Sequence, residues 1–164
     1  MVGRWDGRRR SFPRSLRGDS FTCLVPTLSY HTFQPRAYKL LTPDPTKPQD
    51  GGFFRYATDR NWANPRREKL LDENAALVRA FAHGYRYTGT ETYRDAAQRT
   101  AQYLTTTLWA DDADAFAGSQ AGVDGYYRLE PSEREEADRP HVDGTVFADR
   151  NGLAVDGLLW LAAY

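Results

Sequence analysis

Few residues in this chain have the type and spacing that chemistry demands. The one thiol, Cys23, has no second cysteine with which to build a disulfide, a CxxC redox pair or a thiolate zinc site. His31, His83 and His141 share no spacing that suits metal ligation, so no metal and no cofactor is expected. A GxSxG nucleophile elbow, a phosphate loop ending in Gly-Lys-Ser/Thr and a GxGxxG turn are all absent, which argues against the common hydrolase, P-loop and Rossmann chemistries. Carboxylates, arginines and aromatic rings remain, and these do chemistry only where a fold brings them together.

The chain of 164 residues is one domain's worth of material. Its 22 basic and 22 acidic side chains cancel, so no global charge selects a partner. Hydrophobic residues make up 40% and aromatic residues 13%, with Trp at four places, which is enough to build a core. No apolar run approaches the roughly 18 residues of a spanning helix. With a mean hydropathy of −0.71, a soluble cytoplasmic protein without a membrane partner is expected.

The zero total hides two unlike halves. Residues 1–50 hold 9 Lys and Arg against 4 Asp and Glu, net +5, and residues 51–164 are net −5. The first half is broken by Pro13, Pro26, Pro35, Pro43, Pro45 and Pro48 and shows no sustained apolar period. Its Arg8 to Arg10 cluster lacks a zinc knuckle, a basic amphipathic helix or interleaved aromatics, so no nucleic-acid partner is expected. Arg9-Arg10-Ser11-Phe12 touches the twin-arginine pattern, but Arg14, Arg17 and Asp19 follow where an export signal needs an apolar stretch. The chain has no isoleucine and 19 arginines against three lysines, as a GC-rich gene gives, and such DNA read out of frame yields Arg, Pro, Ser and Gly. Residues 1–50 are therefore expected to be a disordered or non-native leader.

Helical punctuation begins later. Leu70, Leu71, Leu77, Val78, Phe81, Ala82 and Tyr85 share one face at 3.6-residue spacing, predicting a helix from about Pro65 to Tyr87. Asn64 is the expected N-cap, with Pro65 at the first helical position, Glu68 in the first turn and a stop at Thr88-Gly89. Tyr93, Ala96, Ala97, Thr100, Ala101, Leu104 and Leu108 predict a second helix over about 91–109, and the short connection makes the two an antiparallel hairpin. Asp111 to Asp114 reads as an acidic turn, and 115–119 and 125–129 as two short extended pieces of a small ribbon. Glu130 to Arg139 reads as a polar surface turn or short helix. Leu153 to Tyr164 is apolar almost all round, with Asp149 or Asn151 available as cap, so this helix needs cover from another chain or from further sequence.

Two ordered blocks carry a family resemblance. Gly51-Gly52-Phe53-Phe54-Arg55-Tyr56 is followed by Trp62, Pro65, Glu68-Lys69-Leu70-Leu71, Asn74-Ala75, Tyr87-Thr88-Gly89 and Tyr93-Arg94; Asp143-Gly144-Thr145-Val146-Phe147-Ala148-Asp149-Arg150-Asn151-Gly152-Leu153 comes later. Residues 51–164 thereby resemble the spermatogenesis-associated, thioredoxin-domain-containing family, in which a thioredoxin-like domain precedes an (α/α) six-hairpin toroid similar to N-acylglucosamine 2-epimerases and six-hairpin glycosidases. The resemblance implies a mostly α fold, a fragment of an (α/α)6 toroid with a helical hairpin, a small β-ribbon and a buried terminal helix. The thioredoxin part has no counterpart here. Where the family usually carries His-Phe after the Pro, this chain has Arg66-Arg67, which removes an imidazole.

Toroids of this kind hold their pocket at one end of the barrel. On that analogy Glu68 and Asp149 are the candidate catalytic carboxylates, and Arg55, Tyr56, Trp62, Arg150 and Asn151 the candidate substrate-binding residues. Flat Tyr and Trp faces suit a sugar ring, arginines suit hydroxyls or a carboxylate, and glycosidic hydrolysis uses two carboxyl groups about 5–9 Å apart. The implied partner is a small carbohydrate and the implied function a partial epimerase- or glycosidase-like module. The alternative is a non-catalytic helical scaffold or truncated remnant that associates with a protein partner, or the missing part of its toroid, through the apolar helix. Residue by residue the plainer roles compete: Glu68 at a helix dipole, Arg150 neutralising Asp149, Trp62 and Trp109 filling the core.

Overall fold

A computed structural model describes residues 51–57 and 65–163. The leader of residues 1–50, the cap Asn64 and the candidate Trp62 lie outside the described residues.

Within that range the chain is mostly helical. The first helix, α1 (Leu71–Thr88), buries Leu71, Asn74, Ala75, Val78, Phe81 and Ala82, the three-and-four spacing of a single face. It stops at Gly89, whose φ of 67° lets its N–H reach Tyr85 O at 2.7 Å. Next comes α2 (Glu91–Tyr103), antiparallel through the two-residue turn, burying Tyr93, Ala96, Ala97, Thr100 and Tyr103. Its last turn widens into a π-helical turn (Leu104–Leu108), where the hydroxyls of Thr105 and Thr106 donate to the carbonyls of Ala101 and Gln102 at 3.1 and 2.8 Å. The hairpin expected from the sequence is therefore present.

The start of the first helix differs from expectation. Residues 65–70 are extended: β1 (Tyr56–Ala57) pairs antiparallel with β2 (Pro65–Arg66), and β3 (Lys69–Leu70) pairs with a later strand. Neighbouring chain offers these backbone groups a ladder, and Arg55 N–H donates to both Arg66 O at 3.1 Å and Glu68 O at 2.9 Å. Tertiary pairing thus overrides the Pro65 start signal, and Glu68 precedes the helix instead of sitting in its first turn.

Beyond the π turn, β4 (Trp109–Ala110) and β5 (Ala115–Phe116) form a hairpin across the acidic turn, and Asp114 adopts φ 48°. Trp109 stays 41% exposed and does not fill the core. The strand β6 (Ser119–Gln120) is the centre of an antiparallel sheet in the order β3-β6-β7, with β7 spanning Val142–Asp143. The expected second extended piece at 125–129 is helical instead: α3 (Asp124–Arg128) buries Tyr126 and Tyr127 against Phe54. A short helix α4 (Pro131–Glu136) follows, capped reciprocally by Glu130 and Glu133. It is not wholly a surface element, because Arg134 is buried, donating to Leu129 O at 3.0 Å.

The last helix, α5 (Ala148–Ala162), begins at Phe147 rather than at an Asp149 or Asn151 cap. It runs parallel to α1: the glycine Gly157 lies against Ala75 and Val78, Asp156 pairs with Arg79 at 2.7 Å, and Trp160 meets His83 at 4.2 Å. The core formed by α1, α2, the π turn, β5 and α5 contains Leu71, Ala75, Val78, Leu104, Leu108, Phe116 and Ala154. Only Ala154 and Gly157 of α5 are buried, and Leu153, Val155 and Leu159 are 46%, 50% and 66% exposed.

Candidate functional site

The polar groups gather around the beginnings of the two parallel helices. Each helix carries an asparagine as its fourth residue, and the two do the same work. Asn74 Oδ1 accepts from Phe53 N–H at 2.6 Å, while its Nδ2 donates to Phe53 O at 3.2 Å and Leu70 O at 2.8 Å. Asn151 Oδ1 accepts from Phe116 N–H at 2.8 Å, and its Nδ2 donates to Phe116 O and Phe147 O, both at 3.0 Å. In both cases a side-chain amide behaves as a strand edge, satisfying both polar groups of a phenylalanine and one carbonyl at the helix start. The sequence signal is short: Asp72-Glu73-Asn74-Ala75 through Val78 is matched by Asp149-Arg150-Asn151-Gly152 through Val155.

Beside the first clasp lies a group that sequence reading missed. Lys69 is fully buried, its Nζ donating to Gly51 O at 2.7 Å and standing 4.7, 5.5 and 5.2 Å from the ring centres of Tyr103, Phe54 and Tyr127. An ammonium is tolerated here because three π faces and a carbonyl replace part of its hydration. Gln120, opposite Lys69 in the β3–β6 register, accepts from the hydroxyls of Tyr103 and Tyr127 at 3.3 and 3.4 Å. Gly52 has φ 77°, and a Cβ there would collide with the Tyr103 ring, which explains the glycine at this point of the motif. The available signal was a lysine amid arginines, directly before an apolar run.

Of the candidate residues, Arg55, Tyr56 and Glu68 come together. Arg55 Nη1 meets Glu68 Oε2 at 3.2 Å, its Nε lies 3.8 Å from Glu73 Oε1, and its guanidinium stands 5.8 Å from the centre of the half-exposed Tyr56 ring. Desolvation pushes the Glu73 carboxyl above its usual range, with Asp72 and Glu68 acting in the same sense against the lowering by Arg55. Asp149 sits in the first turn of α5, at the same end of the parallel helix pair. Arg150 stacks over Phe147 at 4.3 Å instead of neutralising Asp149, and Asn151 is committed to its clasp. No cluster of three or more metal-ligating side chains exists among the described residues.

At the far end of the seam His83 packs on Trp160 and Tyr87. Burial, then Arg79 and Arg86, lower its pKa below the ordinary 6.5. The unfolded chain then binds more protons than the folded one just below pH 6.5, so stability is full above that pH and falls as acid protonates the ring. His83→Gln is expected to flatten this acid limb, measured as Tm between pH 7.5 and 5; an unchanged slope would sink the assignment.

The unit is thus a mostly helical assembly in which two parallel helices start from equivalent clasps. Over 124 aligned residues it is 32% identical to spermatogenesis-associated protein 20 of Mus musculus and 38% identical to that of Homo sapiens, in each case covering 65% of this chain. The Rattus norvegicus protein of the same name is 36% identical over 72 residues, 39% of this chain. The chain spans 16% of the length of the mouse and human relatives. No protein-family model matches it.

Proposed function

We propose that this chain is a segment of an (α/α) toroid of the spermatogenesis-associated, thioredoxin-domain-containing kind and serves as a helical scaffold, associating through the free face of α5. The observation that carries this reading is the duplicated clasp. Two parallel helices that begin identically are what a repeat architecture requires, since each unit buries one face on its predecessor and offers the other to its successor. Val155 and Leu159, one turn apart on α5, are 50% and 66% exposed and present adjacent apolar side chains on its outer face.

A second reading has its own support: Arg55 bridging Glu68 and Glu73 beside Tyr56 supplies carboxylates, a cation and a flat face, the groups a small carbohydrate uses. One experiment weighs both. In dilute solution the chain is expected to enhance the fluorescence of an apolar dye, and Val155→Asp with Leu159→Glu is expected to cut that several-fold without loss of helical circular dichroism. A panel of neutral sugars is expected to leave Tm unchanged. Dye binding that ignores the double substitution would overturn the scaffold reading, and a sugar raising Tm by several degrees would establish the carbohydrate one.

A further inference from the structure

Residues 51–164 carry a net charge of −5, yet at one place on their surface the balance is reversed. The backbone at Gly122 lies so close to that of Arg67 and Glu68 that a Cβ there would stand 2.5 Å from Glu68 N and 2.7 Å from Arg67 C. This contact brings the start of α3 to Arg67, whose Nη1 donates to Asp124 Oδ1 at 2.7 Å. The Arg67 side chain is 18% exposed and the Asp124 side chain 63%. Packing therefore fixes the guanidinium and leaves its carboxylate partner in water. Two more guanidinium groups act on the same carboxylate. Arg128 comes four residues after Asp124, on the same face of α3, and Arg66 adjoins Arg67 in the chain. Both are exposed, and neither makes an ion pair or a side-chain hydrogen bond among the described residues. The hydrogen bond from Arg67 and its charge, with Arg128 and Arg66 acting in the same sense, hold the Asp124 carboxyl below its usual range. Three cations share one anion, so two positive charges stay uncompensated.

We propose that Arg66, Arg67 and Arg128 form a binding site for a dianionic phosphate group, free or as the monoester of a small molecule, with Asp124 holding the Arg67 fork in its place. Guanidinium N–H groups match phosphate oxygens in pairs, and among the described residues Arg67 spends a single hydrogen bond, the one to Asp124. Asp124 Oδ1 thus stands where a phosphate oxygen would accept. Its exposure lets it turn into water when the stronger anion enters, and Gly125 beside it has nothing within 4 Å of its virtual Cβ, so the approach is open. Charge selects the ligand class. A phosphate dianion cancels both uncompensated charges, whereas a carboxylate cancels one. The site does not use α5 and is independent of the scaffold reading.

Calorimetric titration of the full chain with inorganic phosphate at pH 8 and constant ionic strength is the test, with methyl phosphate and acetate in parallel. Inorganic phosphate is expected to bind saturably, one per chain, and acetate several-fold more weakly. Methyl phosphate binding at least as well as inorganic phosphate assigns the site to a monoester, and binding of inorganic phosphate alone assigns it to the free ion. Arg66→Gln and Arg128→Gln are each expected to weaken phosphate several-fold, and Asp124→Asn, which removes the competing anion, to strengthen it several-fold. Arg94→Gln changes net charge equally but on α2, beside Glu91 and Tyr85, and is expected to leave the affinity unchanged. Circular dichroism confirms that each variant folds. Absence of phosphate binding overturns the proposal, and so does acetate binding equally well, an Arg94→Gln loss matching that of Arg66→Gln, or an unchanged affinity in Asp124→Asn.

Discussion

Replacing Lys69 by alanine is expected to destabilise the chain by about 4 kcal/mol, read by urea denaturation with constant m-value. Two losses add. The buried stem leaves a cavity between Phe54, Tyr103 and Tyr127, and truncation of a side chain of that length costs about 2–5 kcal/mol. Gly51 O also loses its donor, and an unsatisfied buried carbonyl costs about 1–3 kcal/mol. The desolvation that the ammonium suffers in the native state is relieved and offsets part of this. Lys69→Met separates the contributions: it keeps the apolar stem and removes the charge together with the donor to Gly51 O, so it is expected to cost about 1–3 kcal/mol. A fully stable Lys69→Ala protein would show that the ring cage does not hold the Gly51 to Phe54 segment.

Gly157→Leu is expected to cost 3 kcal/mol or about that figure, and Gly157→Ala roughly 1–2 kcal/mol despite alanine's better helix propensity. The reason is backbone against backbone. A Cβ at Gly157 would stand 2.8 Å from Ala75 O, part of the helix itself, which cannot rotate away as a side chain can. Gly152 provides the reverse sign on the same helix. Nothing lies within 4 Å of its virtual Cβ, so Gly152→Ala is expected to stabilise the dilute monomer by up to about 1 kcal/mol. If the two alanine substitutions act alike in thermal unfolding, close packing of α1 on α5 is refuted.

What the sequence revealed, and what it did not, divides along the range of the interactions. The body of α1, the Gly89 stop and α2 were legible because apolar spacing and a left-handed cap are local. Residues 65–70 were not, since their conformation depends on pairing with Tyr56 and with Ser119–Gln120, far along the chain. The stretch around Tyr126 and Tyr127 read as extended because aromatic residues favour strands, yet burial against Phe54 holds it as helix. Within the candidate site, Arg55, Tyr56 and Glu68 were found together, but Lys69 and Asn74 were passed over. Their importance comes from accepting and donating to backbone distant in sequence, for which composition gives no cue. Asn151 was expected to face a ligand and instead holds Phe116.

The paired asparagine clasps also grade the local stability of the segments they join. Each amide reaches across 21 or 35 residues to an extended segment, and its second donor is aimed by a carbonyl at the start of its own helix. The receiving shape exists only once that first turn has wound. The clasp thus depends on the wound turn while the turn does not depend on the clasp, and the Phe53 and Phe116 amides are expected to exchange with deuterium sooner than those in the middle of α1.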